Sequence, residues 1–168
     1  MNLSELLVEL EEWEFVFRKW TNFTKEADGR SNLDQTDIIW KKAFERIYGW
    51  ENCEDKVANE LAENLLYTGE LRRIHIDHEE VLYHNHYVSW TQADNLNDLY
   101  WFNSSIPHTI ITAQATKDNP GISIKGFEEF MKKYRNENYI LLTQPVSLEQ
   151  EVIFPLQESM KLGVKQVK

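Results

Sequence analysis

Along the first third of the chain the apolar residues recur at intervals of three and four. Leu3, Leu6, Leu7, Leu10, Trp13, Phe17 and Trp20 fall in register with acidic residues between them, which predicts an amphipathic helix from Leu3 to about Phe23. Lys25 to Asn32, with Asp28-Gly29 and Ser31-Asn32, reads as a turn. A second helix follows, capped by Asp34 or Thr36, carrying Ile38, Ile39, Ala43, Phe44 and Ile47 and closed by Gly49. Glu54 to Tyr67, with Val57, Leu61, Leu65 and Leu66 on one stripe, predicts a third helix that Thr68-Gly69 stops. Trp and Phe at helical spacing are core residues rather than a cofactor box.

After Gly69 the period changes from 3.6 to 2. Leu71 to Ile76 alternates, Val81-Leu82-Tyr83 and Tyr87 to Trp90 look extended, and Thr109 to Ala115 is rich in strand-forming residues. Asn95 to Phe102 predicts two helical turns behind a capping Asp94 or Asn95, and Asp118-Asn119-Pro120-Gly121 a turn. A strand at Ile122 to Ile124, a helix from Lys125 to Tyr134 built on Phe127, Phe130 and Met131, and a strand at Tyr139 to Thr143 lead to the last segment. There Ser147 to Glu151 alternates into the apolar run Val152-Ile153-Phe154, a buried strand that Pro155 ends. The expected class is α+β: a helical region over 1–68 and a strand-dominated region over 69–168, together one compact unit.

Composition narrows the partners. At 168 residues the chain builds one sizeable core, and no run of about eighteen apolar residues predicts a membrane span. The net charge is -10, with 16 acidic and 8 basic residues in the first 70, so nucleic acid is disfavoured as a partner. Only Lys161 to Lys168 is locally basic, and it reads as a frayed, solvated end. The start shows no secretory signal, and Cys53 is the lone cysteine, which suits a reducing, cytoplasmic setting.

Two clusters carry candidate chemistry. His75, His78, His84 and His86, with Asp77, Glu79 and Glu80 among them, suggest an open zinc or iron site, although the spacing matches no well-marked metal motif. The other is Glu149-Gln150-Glu151. On a continuous strand its two glutamates would share a face roughly 6 to 7 Å apart, both looking into one space. No nucleophile elbow and no Gly-rich phosphate loop competes with these.

Arg73 on its strand, Ser89-Trp90-Thr91 at the end of another, and Leu148-Glu149-Gln150-Glu151-Val152-Ile153-Phe154-Pro155 occur in that order. In this they resemble the arginine, serine and Glu-x-Glu motifs of the R-S-E class of ADP-ribosyltransferases, of the kind found in bacterial toxins and bacteriophages. The resemblance covers about residues 70 to 157. It implies a split β-sandwich with a cleft for NAD, behind a helical lead-in. Arg73 would then pair with the phosphates or ribose of NAD, while Ser89 and Thr91 brace the nicotinamide side. Glu151 would face the sugar cation, and Glu149 would prepare an arginine side chain of a protein acceptor. Arg72 competes with Arg73 for the first role, the aliphatic-x-Arg pattern from Leu71 favouring Arg73. Besides this transferase and the metal site, a third possibility is an interaction protein of the same fold that no longer uses NAD.

Overall fold

The computed structural model describes residues 2–26, 33–75, 85–99, 102–141, 150–157, 159 and 161–167. Three helices come first: α1 (Leu3–Glu26), α2 (Leu33–Asn52) and α3 (Lys56–Leu65). Strands β1 (Leu66–Tyr67), β2 (Gly69–His75), β3 (Tyr87–Thr91), β4 (His108–Ala115) and β5 (Gly121–Ser123) follow. Helix α4 (Ile124–Tyr134) then precedes β6 (Glu151–Pro155) and β7 (Lys161–Val167). The class is α+β, as the periodicity predicts.

All seven strands belong to one curled antiparallel sheet in the order β1-β5-β6-β3-β2-β4-β7. Its ladders are uneven. β2 pairs with β4 at seven positions and β3 with β6 at five, but β2 meets β3 at the single bridge Arg72–Thr91. Among the described residues, then, β2 and β3 are joined only at that bridge.

Each face of the sheet has its own core. Ile122 and Ile153 join Leu6, Leu10, Phe17, Trp40, Ile47, Leu61, Leu65, Phe127 and Phe130 against the helices. Phe17 stacks on Trp40 at 5.9 Å and meets Phe127 edge-on at 4.6 Å, so α1, α2 and α4 share one aromatic contact. Leu71, Val88, Trp90, Ile111, Ala113, Val152 and Phe154 pack on the opposite face. There the Trp90 indole donates to the Phe154 carbonyl at 3.0 Å.

Several elements depart from the sequence reading, each for a visible reason. α2 runs through the exposed Gly49 to Asn52, because Trp50 is core and Asn59 donates its side-chain amide to the carbonyls of Trp50, Glu51 and Cys53, satisfying the helix end. It also begins at Leu33, so Asp34 and Thr36 lie inside its first turn. α3 starts one residue after Asp55, whose carboxylate accepts from the amides of Val57 and Ala58, and it ends at Leu65 because Leu66 and Tyr67 pair with β5. Asn95 caps only a short 3-10 turn, Leu96–Asp98, beyond which Leu99 is extended and buried. Ile124 opens α4 instead of ending a strand, because the Ser123 hydroxyl accepts from the Gly126 amide. Tyr139 to Leu141 is not a strand; the Leu141 amide donates to the buried Glu128 carboxylate at 3.0 Å. The basic tail is not frayed either: β7 pairs antiparallel with β4 and completes that edge. Lys25 and Glu26, read from sequence as the start of a turn, are the last residues of α1; the rest of that turn (27–32), the extended segment at 81–83 and residues 142–149 lie outside the described residues.

Candidate functional site

Antiparallel partners that stand directly opposite each other project to the same face, with Cβ atoms about 4.5–5.5 Å apart. Glu151 stands opposite Thr91 on β3, and Thr91 stands opposite Arg72 on β2. A buried carboxylate, a buried hydroxyl and a guanidinium thus follow one another across three adjacent strands. By alternation Ser89 lies on the same side as Thr91, opposite Ile153, which packs against the helices. The Arg72 guanidinium donates to the carbonyls of Ala93 at 3.0 Å and Asp94 at 2.7 Å, and lies 3.5 Å from the Glu70 carboxylate. It clasps the chain as it leaves β3. Thr91 Oγ1 accepts from the Ala93 amide at 3.0 Å in the same bend.

Arg73 projects to the other face, with Leu71. Where β2 and β3 part, its guanidinium turns toward β3 and Nη1 donates to the Ser89 carbonyl at 2.5 Å. Dehydration pulls its pKa down to about 10, while the charge of Glu151 works in the opposite direction. The cation therefore remains charged at neutral pH and lies within electrostatic reach of Glu151. Its Nε is buried without a hydrogen-bond partner. Arg72 is in register with Thr91 and Glu151; Arg73 approaches the same strand through the gap. The periodicity of one strand cannot distinguish the two arginines, because which of them faces Thr91 is set by pairing.

The Glu149–Glu151 geometry requires a separate correction. Gln150 has a φ of 47°, in the left-handed region that a side-chain-bearing residue rarely occupies, and β6 begins only at Glu151. Face-sharing across 149–151 assumes an extended Gln150, so the strand argument does not connect the two carboxylates. Glu149 itself lies outside the described residues.

Gln150 also borders a cavity of about 450 Å³ with Gln92, Ser123, Lys125, Glu129 and Glu63. The Gln92 amide donates to the Gln150 carbonyl at 3.2 Å, one step beyond the Thr91–Glu151 pair, but Glu151 itself does not line this cavity. Both glutamines directly flank motif residues, which was the available signal for them, but neither carries a chemical pattern of its own.

Of the four histidines considered for a metal, His78 and His84 lie outside the described residues. His86 Nδ1 is 2.7 Å from the Asp37 carboxylate, which also accepts from the Tyr87 amide and ties α2 to the start of β3. His75 is held well below the ordinary range, at about 4, by dehydration and by the Arg73 charge. Among the described residues, no group of three or more His, Cys, Asp or Glu is placed to hold a metal ion. Among the described residues, likewise, no helix is long and apolar enough to cross a membrane. Comparison with protein-family models, with curated proteins and with solved structures returns no match.

Proposed function

We propose that the protein is a mono-ADP-ribosyltransferase that breaks the nicotinamide–ribose bond of NAD and passes ADP-ribose to an arginine side chain of a protein acceptor. The observation that carries this is the adjacency of β2, β3 and β6, which lines up Arg72, Thr91 and the buried Glu151, with the Arg73 charge within electrostatic reach of Glu151 from the other face. As the nicotinamide–ribose bond breaks, its electron pair leaves with nicotinamide and positive charge grows on the sugar. A carboxylate held on a rigid strand stabilises that charge without reorganising. A neighbouring guanidinium suits the phosphates or ribose hydroxyls of NAD. Ser89 and Thr91 brace the nicotinamide side, and Glu149 takes the proton that the acceptor nitrogen loses as its new bond to the sugar carbon forms.

Nicotinamide release, measured with and without agmatine as an arginine analogue, tests the division of labour. Glu151→Gln keeps shape and removes charge, and should lower release on the order of a hundredfold to a thousandfold. Glu149→Gln should spare release in water and lose transfer to agmatine. Arg73→Ala should raise the KM for NAD more than Arg72→Ala does if the cation in the gap meets NAD; the opposite order would assign that contact to the arginine in register with Thr91. A folded Glu151→Gln protein, checked by circular dichroism, that releases nicotinamide at the wild-type rate would remove the transferase reading.

A further inference from the structure

Buried polar atoms are almost always hydrogen-bonded, so a group of unpartnered ones calls for a physical explanation. Arg73 Nε, His75 Nε2 and Thr109 Oγ1 are all buried without a partner. They are also neighbours. Arg73 and His75 are two apart on β2 and share a face, and Thr109 on β4 stands directly opposite His75. Among the described residues β2 and β3 pair only at Arg72–Thr91, so Arg73 and His75 lie beyond the last β2–β3 bridge. Leaving a donor or acceptor buried and unmet costs about 1–3 kcal/mol each. Three such groups together are costly to leave unmet, unless something binds among them.

We propose that Arg73, His75 and Thr109 form a cradle for a phosphate oxyanion of a nucleotide. Arg73 supplies charge and an in-plane N–H, the Thr109 hydroxyl a short donor, and the imidazole one further donor when its proton sits on Nε2. The ring is neutral at neutral pH because of its dehydration and the adjacent guanidinium. It therefore adds a hydrogen bond without adding a second buried cation. The proposal builds on the NAD-using reading by assigning His75 and Thr109, which the arginine, serine and glutamate motifs do not include, to phosphate binding.

Titration calorimetry with ADP and inorganic pyrophosphate on the full chain is the test, with the melting temperature of each ligand-free protein recorded alongside. Thr109→Val keeps the shape and removes an unmet hydroxyl. It should raise the ligand-free melting temperature while weakening ADP binding on the order of tenfold, two effects of opposite sign that a packing defect does not produce. His75→Gln, which retains a side-chain N–H, should bind ADP more tightly than His75→Leu. No ADP or pyrophosphate binding by the wild type overturns the cradle, as does unchanged affinity in folded Thr109→Val and His75→Leu. A lower melting temperature for Thr109→Val with unchanged ADP affinity identifies an internal water as the occupant instead. Nicotinamide release by the same proteins separates the two readings. Variant-sensitive ADP binding without release sustains the cradle and removes the transferase, whereas release that neither variant affects does the reverse.

Discussion

At the residue scale His75 gives a sign that can be checked. Its folded pKa of about 4, against an ordinary 6.5, means that between those values the unfolded chain binds the proton and the folded one does not. Stability from this group is fully present above the unfolded value and is lost as pH falls through that window. His75→Gln should accordingly lose less stability than the wild type between about pH 7 and about pH 4.5, by about 1–2 kcal/mol once the ring's partial exposure is discounted. Thermal melts at the two pH values measure it; identical acid sensitivity would mean that His75 titrates normally. The sequence marked His75 as chemically interesting but pointed to metal. What sets its behaviour is burial that only the packed sheet supplies, together with the Arg73 charge two residues away on the same face.

Two helical glycines carry opposite expectations, because their surroundings differ. Gly126 lies in α4 where a Cβ would come 1.9 Å from the Asn64 carbonyl at the end of α3, so Gly126→Ala should cost about 1–3 kcal/mol in a urea melt. Gly49 sits on the exposed side of α2, where a Cβ would meet only the end of the Arg46 side chain at 3.4 Å. Gly49→Ala should therefore stabilise by about 0.5–1 kcal/mol, because a helix-interior glycine gives up more backbone freedom than alanine. Destabilisation there would restore the helix end expected from sequence. The periodicity found all three N-terminal helices and α4, since each stripe of apolar residues is a local pattern. The last two residues predicted for α3 became β1, and the basic tail became β7, because in both cases a distant strand offers its unpaired backbone.

At the scale of the whole molecule, α1 to α4 and the sheet residues Ile122 and Ile153 share one core, and Arg46 pairs with Glu9 to tie α2 to α1. Removing residues 1–68 would expose Ile122, Phe127, Phe130, Met131 and Ile153 together. The remaining chain should be insoluble or lack a cooperative melt; a soluble, cooperatively melting 69–168 fragment would make the helices an independent unit. The α2 stripe read from sequence takes in Ile38, which is exposed, and passes over Trp40 and Trp50, which are core. Taken alone, the sequence determined the α+β class, the change of period at Gly69, part of each core and the order of the arginine, serine and glutamate motifs. Each of these depends on residue spacing along the chain. Tertiary structure decided that β2, β3 and β6 lie side by side, that Arg72 rather than Arg73 stands in line with Thr91 and Glu151, and that Gln150 is left-handed, with β6 starting only at Glu151. It also brought Thr109 opposite His75. These outcomes rest on hydrogen-bond register between segments far apart in the chain, and a shift of one residue in that register moves every side chain to the other face.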